Sequence, residues 1–230
     1  MTGDWAAGDL RTGDSAAKLT AEAIRIASSL FARGKTSGAS GNLSFVHDGS
    51  VYVSASGSCF GTLREEDFSR VSMDGTLLSG RKPSRELPLH LSLYRRHKNA
   101  AAVLHTHSPY STLWSCLEPG SLGPGSAEDV LPDYTPYLRM RVGRVALVPY
   151  APPGSPELFA LFDGRASDGV RCYLLAHHGS IIAGESLSSV FFDLEELEDS
   201  ARIAYSLALL GAGGSPLGDE SPNQVKFHTL

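Results

Sequence analysis

The sequence predicts an α/β fold, and three observations carry that reading. Apolar residues recur at helical spacing over residues 15–34 and again over 187–210. Two nearly continuous apolar runs, at 100–104 and 170–176, read as buried strands. Turns rich in Ser, Gly and Pro separate these segments. A chain of 230 residues can bury one substantial core, and nothing in its composition divides it. Residues 1–230 are therefore read as a single domain with its core at about 15–210 and mobile termini.

Leu19, Ala23, Ile26, Ala27, Leu30 and Phe31 form one face of the first helix, which Gly34 ends. A loop, Ser37-Gly38-Ala39-Ser40-Gly41-Asn42-Leu43-Ser44, follows. Phe45-Val46, a turn at Asp48-Gly49-Ser50 and the alternating Val51-Tyr52-Val53-Ser54 then predict a hairpin, left through Ser56-Gly57-Ser58. The polar turn Gly80-Arg81-Lys82-Pro83-Ser84-Arg85-Glu86 leads into a helix over 88–98, with Pro88 suited to its first turn. The next strand runs into His105-Thr106-His107-Ser108 and is closed by Pro109. Residues 117–132 are loop-like, with Pro119, Gly120, Gly123, Pro124 and Gly125. A strand over 142–150, a Pro-rich turn and a short helix near 156–162 come next. The run at 170–176 ends in His177-His178-Gly179, with Ile181-Ile182-Ala183-Gly184 as its hairpin partner. The last helix, over 187–210, turns Val190, Leu194, Leu197, Ala201 and Ala204 to the core and Glu195, Glu196, Glu198 and Asp199 to solvent.

The net charge of -5 and the shortness of basic runs such as Arg95-Arg96-His97-Lys98 exclude a broad nucleic-acid surface. Cys59, Cys116 and Cys172 show no Cys-x-x-Cys spacing, which argues against a disulfide framework or a zinc ribbon and makes each a small buried hydrophobe. The N-terminal stretch carries Asp4, Asp9 and Asp14 instead of an apolar signal core, and no later run approaches a membrane span. A cytoplasmic protein with no nucleic-acid or membrane partner is expected.

The chemistry centres on the histidines. Strand residues two apart share a face, so His105 and His107 emerge side by side. A second buried strand also ends in imidazoles, and together the two can bring three histidines to one point. Three neutral imidazoles with an open fourth position suit a catalytic zinc, whereas a structural site is normally closed by Cys, and no Cys lies near these motifs. His178 is preferred to His177 as third donor because Gly179 permits a tight turn. The loops at Gly41-Asn42, Ser56-Gly57 and Ser84 offer N–H groups and hydroxyls that can close around an anion. Glu86, at the entrance to the second helix, is placed to act as acid or base near the metal and the anion.

Taken in order, Ser40-Gly41-Asn42-Leu43-Ser44, Ser56-Gly57-Ser58, Lys82-Pro83-Ser84-Arg85-Glu86, His105-Thr106-His107 and His178-Gly179 resemble the class II aldolase/adducin family over roughly residues 19–210. Enzymes of that family include zinc-dependent fuculose-phosphate aldolase and ribulose-phosphate epimerase. The resemblance implies a three-layer α/β/α fold around a central, mainly antiparallel sheet, and a homotetramer with active sites between subunits. It also implies Zn2+, with Mn2+ or Co2+ as substitutes, on His105, His107 and His178. A substrate phosphate would lie at Gly41, Asn42, Ser56, Gly57 and Ser84, with Glu86 as the catalytic acid/base. Aldolases of the family tend to carry a second Ser where this chain has Arg85. Together with the runs at 131–137, 140–144 and 148–150, that segment is most similar to the 3-oxo-tetronate 4-phosphate decarboxylases within the family.

The implied activity is that of a zinc-dependent lyase acting on a small phosphorylated sugar acid. It would decarboxylate 3-oxo-tetronate 4-phosphate to dihydroxyacetone phosphate through an enediolate, with Lys82, Arg85 and Tyr137 as further substrate-binding residues. One alternative is an aldolase cleaving a sugar 1-phosphate such as fuculose 1-phosphate. A second is a non-catalytic adducin-like interaction module, which has no chemical need to keep all three histidines and Glu86.

Overall fold

The computed structural model describes residues 15–121 and 125–210, so the termini expected to be mobile lie outside the described residues. Helix α1 (Ala16–Ala32) is capped by the Ser15 side chain, which accepts the Lys18 N–H, and buries Ala23, Ile26, Ala27 and Leu30. The strands β1 (Asn42–His47), β2 (Ser50–Ser54), β3 (Phe68–Ser72) and β4 (Leu77–Ser79) form a meander. Helix α2 (Leu87–Arg96), strand β5 (Ala102–Thr106), helices α3 (Pro109–Ser115) and α4 (Pro136–Arg141), strand β6 (Val145–Val148) and helix α5 (Pro156–Arg165) follow. The hairpin β7 (Cys172–Leu175) and β8 (Gly179–Gly184) leads into the long helix α6 (Leu187–Leu209).

All eight strands make one sheet in the order β4-β3-β2-β1-β5-β8-β7-β6. Only β6 and β7 run parallel; the other six neighbouring pairs are antiparallel. Alternate side chains feed two cores. Ala102 and Leu104 of β5, Leu174 of β7 and Ile182 of β8 pack with residues of α1, α3, α4 and α6. Val103, Tyr173, Ile181 and Ala183 pack on the other side with residues of α2 and α5. The architecture is thus the expected three-layer α/β/α arrangement with a mainly antiparallel sheet. Because β5, β7 and β8 are buried on both faces, their sequences are apolar throughout rather than alternating.

Several local expectations are corrected. Strands β3 and β4 were not anticipated, since β3 is Ser-rich and β4 is a three-residue exposed edge strand. Pro109 does close β5, but it also opens α3 as that helix's first residue. The strand expected over 142–150 is shortened to β6, because 136–141 form α4 and Val142 still has helical geometry. The side chain of Glu198, expected at the surface, is 1% exposed. Its two carboxylate oxygens accept the Tyr110 and Ser111 N–H groups, 2.9 Å each, at the first turn of α3. That helix end has no other intrahelical partner for these donors, which is why a carboxylate belongs inside. Of the cysteines only Cys172 is fully buried, while Cys59 is partly buried and Cys116, at the end of α3, is exposed. Among the described residues no helix is long and apolar enough to cross a membrane.

Candidate active site

Strand β5 lies between β1 and β8, and the pairing register puts three loops at the same sheet end. Asn42 of β1 sits opposite His105, and Thr106 sits opposite Ser180 of β8. The loop before β1, the residues after β5 and the β7–β8 turn therefore converge. His105 is fully buried and its Nδ1–H donates to the Ser180 carbonyl at 2.8 Å. That bond leaves the Nε2 lone pair directed at His107 Nε2, 3.0 Å away. The rings of His105, His107 and His178 stand edge to face around a common point, with centroids 4.9, 4.9 and 4.7 Å apart and planes inclined by 71°, 70° and 74°. One donor atom from each lies within 4.8 Å of the others. Burial pulls all three imidazoles below the usual histidine range, His178 to about 4, so they present neutral lone pairs. This donor set fits a divalent metal with an open coordination position.

His178, not His177, joins the cluster, but the expected role of Gly179 differs in kind. The left-handed residue of the β7–β8 turn is His177, at φ +56°, and the His178 N–H closes the turn on the Leu175 carbonyl at 3.0 Å. Gly179 is needed for space: a Cβ there would lie 2.3 Å from the Thr106 carbonyl oxygen. The His177 N–H donates to the Ser115 carbonyl, and its ring stands edge-on to Tyr150.

Glu86 is the N-cap residue of α2, and its carboxylate faces the triad. Oε2 accepts the Asn42 amide N–H at 2.9 Å and lies 3.2 Å from His105 Nε2. Oε1 lies 3.2 Å from His178 Nε2 and is buried with no hydrogen-bond partner. An orphaned buried carboxylate oxygen beside three converging imidazoles is a further sign that a cation fits here. Burial opposes ionisation of this carboxyl, yet the facing His105 and His178 and the Asn42 amide hold its pKa below the ordinary range.

The cavity over this cluster is lined by Gly41, Asn42, Ser56, Gly57, Ser58, Ser84, Arg85, Glu86, His107 and His178. Two of the loops are tied together by backbone: the Ser56 N–H donates to the Lys82 carbonyl at 2.9 Å and the Ser84 N–H to the Ser54 carbonyl at 3.2 Å. Gly41 takes φ +87°, and a Cβ on it would approach the His105 carbonyl oxygen to 3.0 Å, so only glycine lets this loop lie against β5. Lys82 contributes its carbonyl to the loop but not its side chain to the lining, and Tyr137, 60% exposed on α4, lies away from the cavity of its own chain. Pro153 and Gly154 also line the cavity; in the sequence they were only a Pro-rich turn. His90 and Tyr94, buried behind Glu86, have no part in the sequence reading although they follow Glu86 at four-residue intervals, and Ser44, buried with them, enters it only as the end of a loop motif.

Residues 21–205 match the family described as class II aldolase and adducin N-terminal domain. A 3-oxo-tetronate 4-phosphate decarboxylase from Escherichia coli (strain K12) is 43% identical over 190 residues, covering 82% of this chain and 87% of that protein. An L-fuculose phosphate aldolase from Methanococcus maripaludis (strain C5) is 31% identical over 188 residues, covering 82% of this chain and 96% of that protein. Among solved structures, YgbL from Escherichia coli superposes with a TM-score of 0.77 at 41% identity, covering 82% of this chain and 89% of that one. The matched span, the identities and the shared architecture agree: the chain belongs to the class II aldolase and adducin N-terminal domain family.

Proposed function

We propose that this chain is a zinc-dependent carbon–carbon lyase that converts 3-oxo-tetronate 4-phosphate to dihydroxyacetone phosphate and CO2. The observation that carries the proposal is the convergence of His105, His107, His178 and Glu86 on one small cavity whose rim is built of Ser- and Gly-bearing loops. Greater identity to the decarboxylase than to the aldolase supports the choice of substrate class.

His105, His107 and His178 would hold the metal, and three imidazoles without a thiolate suit zinc, with Mn2+ or Co2+ as substitutes. When bound, the metal would supply a Lewis acid that stabilises the negative charge developing on the substrate oxygens. The Ser56 and Ser84 hydroxyls and the backbone at Gly41 and Gly57 would receive the phosphate, since the Ser56 and Ser84 N–H groups are already paired within the loops. Asn42 lies on the same wall, but its side-chain amide is engaged by Glu86. Arg85 would hold the departing carboxylate or the phosphate in a bidentate fork. As the bond from the carboxylate carbon to C2 breaks, its electron pair stays on C2 and delocalises into the neighbouring ketone. Glu86, ionised at rest, takes a proton from water at the cavity mouth and passes it to C2, completing dihydroxyacetone phosphate, so that one solvent proton is consumed for each CO2 released.

An aldolase reaches the same kind of enediolate by releasing an aldehyde, and Arg85, a cation beside the phosphate loops, favours the acid substrate over it. A homotetramer in the cytoplasm is part of the reading. Tyr137, Met140 and Phe192 expose apolar surface on α4 and α6, which supports assembly and would let Tyr137 reach a site between copies. The test is to incubate the metal-loaded protein separately with 3-oxo-tetronate 4-phosphate and fuculose 1-phosphate. CO2 release from the first above its spontaneous rate supports the proposal; aldehyde release from the second alone overturns it.

A further inference from the structure

Behind Glu86 the structure holds a ladder of buried polar side chains that the chemistry above leaves unused. Glu86, His90 and Tyr94 follow one another at one-turn intervals along α2, and Asn42 and Ser44 lie two residues apart on β1. Four helical residues rise about 6 Å and two strand residues about 6.6 Å, so the two rows interdigitate almost in step. The rungs are Asn42 Nδ2 to Glu86 Oε2 at 2.9 Å, His90 Nε2 to Asn42 Oδ1 at 2.5 Å, Ser44 Oγ to His90 Nδ1 at 2.7 Å and Ser44 Oγ to Tyr94 Oη at 2.7 Å. His90 and Ser44 are wholly buried, and Tyr94 and Asn42 nearly so.

Hydrogen-bond chemistry fixes the direction of each rung. An ionised carboxylate can only accept, so the Asn42 nitrogen faces Glu86 and its oxygen faces His90. His90 must then carry its proton on Nε2, leaving Nδ1 to accept the Ser44 hydroxyl. Ser44, its proton spent, accepts from Tyr94. Burial pushes the His90 pKa down to about 3, in keeping with a neutral ring of one tautomer. Every donor thus points toward Glu86.

We propose that His90 is a positioning residue that acts through Asn42 to hold the Glu86 carboxylate at the angle from which it exchanges a proton with substrate. The inference rests on the reading of Glu86 as the acid/base. A side-chain amide interrupts any proton wire, so the ladder orients the carboxylate and does not feed it protons. It also explains why Asn42 serves the carboxylate as well as lining the cavity.

The test uses the metal-loaded enzyme with His90→Leu and His90→Gln, each alone and in a Glu86→Gln background. Gln keeps an N–H for the Asn42 oxygen; Leu does not. His90→Leu should keep full metal content and a KM within about twofold while kcat falls at least tenfold, and His90→Gln should recover most of that loss. In the Glu86→Gln background His90→Leu should cost no further rate, because the group it positions is gone. Nitrogen NMR of the wild type should show His90 protonated on Nε2 alone. A protonated Nδ1, an equal kcat loss in both backgrounds, a loss below about threefold, or no recovery with Gln would each overturn the inference. If Glu86→Gln itself loses less than about tenfold, the acid/base reading fails and this inference with it. Should His90→Leu not fold, Ser44→Ala, which removes only the hydroxyl that selects the tautomer, should lower kcat by about threefold without moving KM, and an unchanged kcat would overturn the inference.

Discussion

Replacing Gly179 with Ala perturbs the site at the point where β8 lies closest to β5. The added Cβ would meet the Thr106 carbonyl oxygen at 2.3 Å, the Thr106 carbonyl carbon at 3.2 Å and His107 Cδ2 at 3.1 Å. Ordinary contact begins near 3.4 Å, so β8 has to retreat by about 1.1 Å from the backbone oxygen. The obstacle is main chain in a paired strand, which cannot rotate aside. Overpacking of this kind costs about 1–3 kcal/mol. At about 2–4 °C for each kcal/mol in a chain of this size, the melting temperature should drop by roughly 2–12 °C, with or without metal. The displacement also carries His178 and the Ser180 carbonyl that orients His105. A shift of about 1 Å in reacting geometry typically costs on the order of 10²-fold in rate. Disturbing the partner that orients a metal-binding histidine weakens metal affinity by roughly 10- to 100-fold. Chelator competition for zinc, calorimetry of metal-free and metal-loaded protein, and CO2 release together read these three effects. A melting temperature within about 1 °C of wild type together with zinc affinity within about twofold would show that the strands have room, and the spacing argument would be refuted.

Glu86→Gln should retain metal and fold but lose about 10²–10⁴ in turnover, since an amide fills the space without moving a proton; steady-state kinetics with metal analysis checks this, and a loss under tenfold would make Glu86 structural. Arg85→Ser should raise KM for the oxo-acid phosphate or lower its turnover at unchanged zinc content. Activity within about twofold, a shift of only roughly 0.4 kcal/mol, would remove Arg85 from the substrate contacts. Glu198→Ala should strand the Tyr110 and Ser111 N–H groups inside the protein, costing about 2–4 kcal/mol and roughly 4–16 °C of melting temperature, with the cavity left intact. A melting curve superimposable on wild type would mean that water reaches those donors.

The parts of the fold that could be read from the sequence are those whose side chains obey one periodicity. The amphipathic α1 and α6 and the doubly buried β5 and β7 announce themselves because core contacts decide nearly every residue in them. The Ser-rich β3, the edge strand β4 and the short helices α3 and α4 do not, because solvent or neighbouring elements decide their conformation. In the site, His105 and His107 are linked by strand geometry and so were legible as a pair. The choice of His178 rested on Gly179, and the structure gives that glycine a steric task while His177 takes the left-handed turn position. The burial of Glu198, expected at the surface, and the pairing of Asn42 with His90, Ser44 and Tyr94 are not legible in the sequence for one reason. A buried polar residue is explained by its partner, and that partner is 87 or 88 residues away for Glu198 and 44 to 50 residues away for the ladder.

The measurement that bears most directly on the central claim is product analysis in D2O with 3-oxo-tetronate 4-phosphate labelled with 13C in its carboxylate. The account predicts 13CO2 and dihydroxyacetone phosphate in a one-to-one ratio, one deuterium on the carbon that lost the carboxylate, loss of the enzymatic rate on chelation and its return with zinc. Release of 13CO2 no faster than without protein, or at a rate indifferent to the chelator and to zinc, would contradict it.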